Sequence, residues 1–190
     1  MTRSALLLAA LLSACALQAQ TPVPVPAPGG PQPMSTNPVI SEMKRYYTQY
    51  KGFWTRAAAA MPEDGYAFKP TGPAIANSQE MRTFGALVAH VADHQTQFCS
   101  SSTGPAKRGD AASKTTKADL IAALAASYAE CDAAWNDLTD ANFAEMKGQR
   151  SRFGWLLVDL AHSEEEYGYM SVYFRLKGII PPSSDRSGGR

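Results

Sequence analysis

Strand-favouring residues, histidine and cysteine are all scarce in this chain of 190 residues. Valine and isoleucine are thin beside alanine and leucine, and no apolar–polar alternation stands out. That argues against a sheet and for an all-α fold. An excess of positive charge is also missing, with 18 Lys and Arg against 17 Asp and Glu. Without a basic stripe or polybasic arm, nucleic acid is not an expected partner. No Gly-rich phosphate loop and no serine–histidine–acid pattern is present, so neither phosphate cradling nor serine-type catalysis is indicated. Internal repeats are absent as well. What remains is a length sufficient to bury one full hydrophobic core.

Near the N-terminus, the apolar run from Ser4 to Leu12 is too short to span a bilayer. With Arg3 before it and small residues after it, the run has the layout of an export signal. Leu17-Gln18-Ala19 before Gln20 reads as a signal-peptidase site, which makes 1–19 the signal peptide. Leu12-Ser13-Ala14-Cys15 also resembles a bacterial lipobox, in which Cys15 would be lipidated, so free and lipid-anchored forms both stay open. The expected location is the periplasm or cell envelope, with membrane attachment only through such an anchor. Residues 20–36 are dominated by proline and form an extended tether. The folded domain is expected over 37–184, with a flexible tail at 185–190.

Beyond Cys15, the remaining cysteines are Cys99 and Cys131. They fall at the end of the second predicted helix and inside the third. In an oxidising compartment such a pair is a disulfide candidate; the alternative is two small buried hydrophobes.

Four segments have helical periodicity. The first runs from Asn37 or Pro38 to Ala60, with Tyr46, Tyr47, Tyr50, Phe53 and Trp54 in its core stripe. A long Pro/Gly-rich connection, 62–82, follows; in a small bundle that length marks a functional segment or a crossover. Thr83 caps the second helix, which reaches Cys99 or Ser100. The third spans Lys117 to Leu138, and 140–149 reads as a loop or short turn. Ser151 caps the fourth, which stops at Gly178. Phe153, Leu156, Leu157, Leu160, Tyr167 and Phe174 make its core face. Trp155, Asp159, His162, Glu166, Tyr169 and Tyr173 make a second, polar and aromatic stripe able to line a groove.

His90, His94 and His162 are the chain's three histidines, and all lie in helical segments. His162 and Glu166 are four residues apart and so share a helix face. With an imidazole from the second helix they would form a two-His, one-carboxylate set with open coordination positions. At about 100° per residue, His94 lies roughly 60° from the centre of the second helix's apolar stripe and His90 roughly 100°. Periodicity therefore favours His94 as the inward histidine.

Two stretches carry a resemblance to a known family. The first is Met61-Pro62-Glu63-Asp64-Gly65-Tyr66-Ala67-Phe68-Lys69-Pro70 with Arg82-Thr83-Phe84-Gly85-Ala86-Leu87-Val88-Ala89-His90-Val91-Ala92-Asp93. The second is Ala161-His162-Ser163-Glu164-Glu165-Glu166-Tyr167-Gly168, followed by Tyr173 to Ser184. Together they resemble the DinB-like (damage-inducible protein B) four-helix bundles over nearly the whole domain. Members of that family typically bind a divalent metal through three histidines, one in the second helix in a His-x-Ala-Asp setting and two in the fourth as His-x-x-x-His. By resemblance the first is His90, with His94 in reserve, and the second is His162. Glu166 stands where the third histidine is expected, which shifts preference towards harder metals while leaving zinc compatible.

The resemblance implies a divalent ion bound at His90, His162 and Glu166, in a protein that the N-terminal pattern marks for export. Zinc is expected first, with nickel, manganese and iron as alternatives. Trp155, Tyr169 and Tyr173 would line the approach for an unidentified small-molecule substrate, and metal-dependent hydrolysis is the expected reaction class. A homodimer is left open. The rival expectation is a metal-free helical binding module of the cell envelope.

Overall fold

Pro38 lacks a backbone N–H and is tolerated in a helix's first turn, where that donor would go unused. In the computed structural model, which describes residues 35–186, it begins helix α1, Pro38–Ala60. The expected export segment, Cys15, nearly all of the tether and residues 187–190 lie outside the described residues. The Asn37 side chain caps α1 through the Val39 N–H at 2.9 Å. Asp140 accepts from Ser35, Thr36 and Asn37, tying the chain's entry into α1 to the loop after the third helix.

Three more helices follow: α2 Phe84–Thr103, α3 Lys117–Asn136 and α4 Arg152–Leu176. Thr83, Thr116 and Ser151 cap them by accepting from the N–H groups of Ala86, Asp119 and Gly154. Each such cap contributes about 1 kcal/mol by satisfying an orphan donor. α2 runs past its expected end near Ser100 to Thr103, and the hydroxyls of Ser100, Ser101 and Ser102 are satisfied by carbonyls of their own helix. The stretch between α3 and α4 also differs from a plain loop. It holds a minimal antiparallel hairpin, β1 Met146–Lys147 with β2 Arg150–Ser151, turned by Gly148 at φ 66°.

α2 packs most extensively on α3 and α4, while α1 packs on α4 and α3. The order around the bundle is therefore α1, α3, α2, α4, with α1 diagonal to α2. Helices consecutive in sequence but diagonal in space need a long connection, and this explains the length of the 62–82 segment. A 3-10 turn within it, Glu63–Ala67, lies against α2 at Gly85. A Cβ at Gly85 would sit 3.2 Å from the Tyr66 ring and backbone oxygen and 3.3 Å from Leu120.

The core is aromatic and dense. Trp54, Phe84, Phe174 and Trp135 are fully or almost fully buried. Trp54 donates its indole N–H to the Ser163 carbonyl, and Tyr66 its hydroxyl to the Ala58 carbonyl. Buried Gln95 spans three helices: it accepts from the Ser127 hydroxyl at 2.7 Å and donates to the Ser163 hydroxyl at 3.5 Å. One turn beyond it, Cys99 and Cys131 form a disulfide between α2 and α3, with Cα atoms 4.9 Å apart. Leu157, expected on the core face of α4, is 43% exposed because that face turns towards Leu156 and Leu160. Among the described residues, no helix is long and apolar enough to cross a membrane.

Candidate metal centre

α2 and α4 face each other, and each presents two polar residues one turn apart. His90 and His94 lie on α2, His162 and Glu166 on α4. The Nε2 atoms of His90 and His162 are 3.1 Å apart. Glu166 Oε1 is 3.3 Å from His90 Nε2 and 3.7 Å from His162 Nε2. Bonds of about 2.0–2.2 Å meeting at a tetrahedral angle place donor atoms roughly 3.3–3.6 Å apart. The three atoms thus have the spacing of ligands to one ion.

A second triad overlaps the first. One donor atom each from His90, His94 and His162 lies within 4.8 Å of the other two. His94 stacks on the His162 ring at 4.6 Å and meets the His90 ring at 4.3 Å. Three histidines are therefore gathered although α4 supplies one of them, since α2 supplies two. The signal for this was present in the sequence: His90 and His94 form a second couple four residues apart, facing the couple on α4. The choice between the two histidines does not arise in the fold, because both reach the centre.

The centre is largely shielded from solvent. The side chains of His90, His162 and Glu166 are 19%, 17% and 8% exposed. Burial depresses the imidazoles of His90 and His162 to pKa values of about 4, helped by each other's neighbours and by the Arg82 charge. His94 is lowered by burial and then by Arg82, and burial raises Glu166. Both imidazoles are thus neutral at pH 7, the form that ligates metals. At the centre, the buried atoms His94 Nδ1, His162 Nδ1 and Glu166 Oε2 have no hydrogen-bond partner among the described residues. A buried carboxylate oxygen without a partner, beside two neutral imidazoles whose Nε2 atoms lie 3.1 Å apart, suits a divalent cation, so the donor set fits the group.

Trp155, Tyr169 and Tyr173 sit elsewhere than expected. A cavity of about 740 Å³ opens on His90 and His94, and none of the three lines it. Tyr173 is buried and donates its hydroxyl to the Arg82 carbonyl at 2.8 Å. Trp155 donates to the Lys147 carbonyl and stacks on Phe98, so it covers the hairpin end of the site. Tyr169 is 53% exposed and bonds Glu165, because a step of three residues from Glu166 carries it round the helix towards solvent.

Two residues of the first motif have roles that spacing did not reveal. Asp93 accepts from the N–H groups of Ala111 and Ala112 and so anchors the turn Ala111–Ser113 against α2. Gly109 passes so close that a Cβ would meet Asp93 Oδ1 at 2.1 Å. Arg82 places a positive charge at the mouth of the cavity. Its one signal in the sequence is its position beside the capping residue of the helix that bears His90 and His94.

One further buried acid lies nearby. Asp159 is 1% exposed, and its Oδ2 is 3.8 Å from Cys131 Sγ. A disulfide sulfur has no proton to donate, so this contact supplies no hydrogen bond to a charged carboxylate. Burial pushes Asp159 up to about 7.

No curated protein matches the chain. A family model described as the DinB superfamily matches residues 49–170, a span that contains His90, His94, His162 and Glu166. The chain belongs to the DinB superfamily.

Proposed function

We propose that this is an exported DinB-superfamily protein that binds one divalent metal ion through His90 Nε2, His162 Nε2 and Glu166 Oε1. His94 is available as a fourth donor, and the centre serves metal-dependent hydrolysis. The carrying observation is the triangle of 3.1, 3.3 and 3.7 Å between those atoms. Zinc suits the two imidazoles and one carboxylate, and the carboxylate also admits manganese, iron or nickel. Export is supported by the N-terminal sequence pattern and by a disulfide of the kind found in oxidising compartments.

When bound, a divalent ion supplies Lewis acidity, polarising a substrate oxygen and making water a stronger acid. The chain's own residues prepare the place for it. Burial keeps His90 and His162 neutral and ready to donate a lone pair, and Glu166 offsets part of the cation's charge. Glu166 Oε2, buried without a partner, is free to accept a hydrogen bond from an incoming water. The cavity beside His90 and His94 gives a small molecule access.

A metal-free binding module is favoured by one observation: the two Nε2 atoms at 3.1 Å can share a proton, with Glu166 accepting from His90. Such a network needs no ion. Elemental analysis of the purified protein separates the two readings, since the metal reading expects one divalent ion per chain and the network reading expects none.

A further inference from the structure

The cavity that opens on His90 and His94 brings three cationic side chains to the edge of the metal centre. Its volume, about 740 Å³, lies in the range of small-molecule sites. Arg82, Lys114 and Lys117 line it, against the acids Glu63 and Asp93. Both Asp93 oxygens accept from the N–H groups of Ala111 and Ala112, which occupies them towards a ligand but leaves the negative charge in place. Lys117 donates to the carbonyls of Ala59 and Met61, which satisfies its protons without cancelling its charge. Lys114 is paired with Asp110 at the surface. Arg82 is exposed, and among the described residues its guanidinium has no hydrogen-bond or ion-pair partner. Its backbone, by contrast, is held to α4 by the Tyr173 hydroxyl. A fixed backbone with a free planar donor fork beside a cavity is suited to bidentate capture of an oxyanion.

We propose that this cavity takes a small anionic molecule, its carboxylate or phosphate held by Arg82 and the cationic wall, with its other end directed to His90 and His94. As a substrate class for the metal centre, this rests on the function proposed above. Asp93 has a positioning role in it, because the turn it anchors carries the wall that includes Ala112 and Lys114.

The test is an NMR titration of backbone amides with three phenyl probes: benzoate, its neutral isostere benzamide, and phenyl phosphate. Performed on metal-free protein, it removes direct coordination of the probe to an ion. The expected result is a shift of the Gly85, Ala86 and Ala112 amides by at least one anion, with benzamide binding at least tenfold more weakly. A carboxylate and a phosphate ligand are then distinguished by which anion binds tighter. Arg82→Gln should weaken the anion at least tenfold while zinc content is unchanged, and Arg82→Lys should recover part of the loss. Benzamide binding as tightly as the anions, or an unaltered anion affinity in Arg82→Gln, overturns the assignment. Lys114→Gln, on the opposite wall, gives a second reading should Arg82→Gln fold poorly. Zinc retained without anion discrimination sinks this proposal alone; anion discrimination in a chain that retains no zinc sinks the metal reading instead.

Discussion

With His90, His162 and Glu166 donors 3.1–3.7 Å apart, loss of any one opens the triangle proposed to hold the ion while leaving the other two buried and short of partners. Even an outer-shell change around a metal costs about 10–100-fold in affinity, so His162→Ala should weaken zinc binding by more than about 100-fold in a chelator competition assay. Glu166→His would give α4 the histidine pair that the family resemblance implies, and should keep zinc binding while reducing manganese binding. Asp159 gives a separate test, through pH. Its folded pKa of about 7 lies above the ordinary carboxylate range, so the folded state holds a proton that the unfolded chain releases. Its contribution is therefore intact below about pH 4, declines between about 4 and 7, and is lost above. Asp159→Asn should raise stability at pH 8 by about 2 kcal/mol and flatten that slope, as read by urea unfolding at pH 5 and pH 8.

The helices are the best-marked feature of the sequence, since their caps are local. Asn37, Thr83 and Ser151 sit where each helix begins because short polar side chains satisfy orphan N–H groups irrespective of what packs nearby. Interhelical relations are less legible. The polar stripe of α4 was visible, but which of its members turn inward depends on α2, and Tyr169 turns out while Asp159 and Tyr173 turn in. Arg82 was missed for the same reason, since it becomes conspicuous only when the 63–67 turn, α2 and the segment before α3 enclose a cavity. At this scale the disulfide closes a loop between residues 99 and 131, and restricting a loop of that size contributes about 3 kcal/mol. Replacing both cysteines with alanine should lower stability by about that amount in chemical denaturation. Asp93→Ala should loosen the 111–113 turn, with faster hydrogen exchange at the Ala111 and Ala112 amides, whose acceptor it removes.

For the whole molecule, the diagonal placement of α1 and α2 brings α2 between α3 and α4. α2 can then bond through Cys99 to one neighbour and present His90 and His94 to the other. One helix thus carries both the covalent link to α3 and the two histidines that meet α4. The most direct measurement is the metal content of the chain purified from metal-replete medium, alongside His162→Ala, by elemental analysis. The expected result is one divalent ion per wild-type chain and none in the variant. A wild-type chain free of metal, or a variant that retains the ion, would contradict a metal centre built on His90, His162 and Glu166.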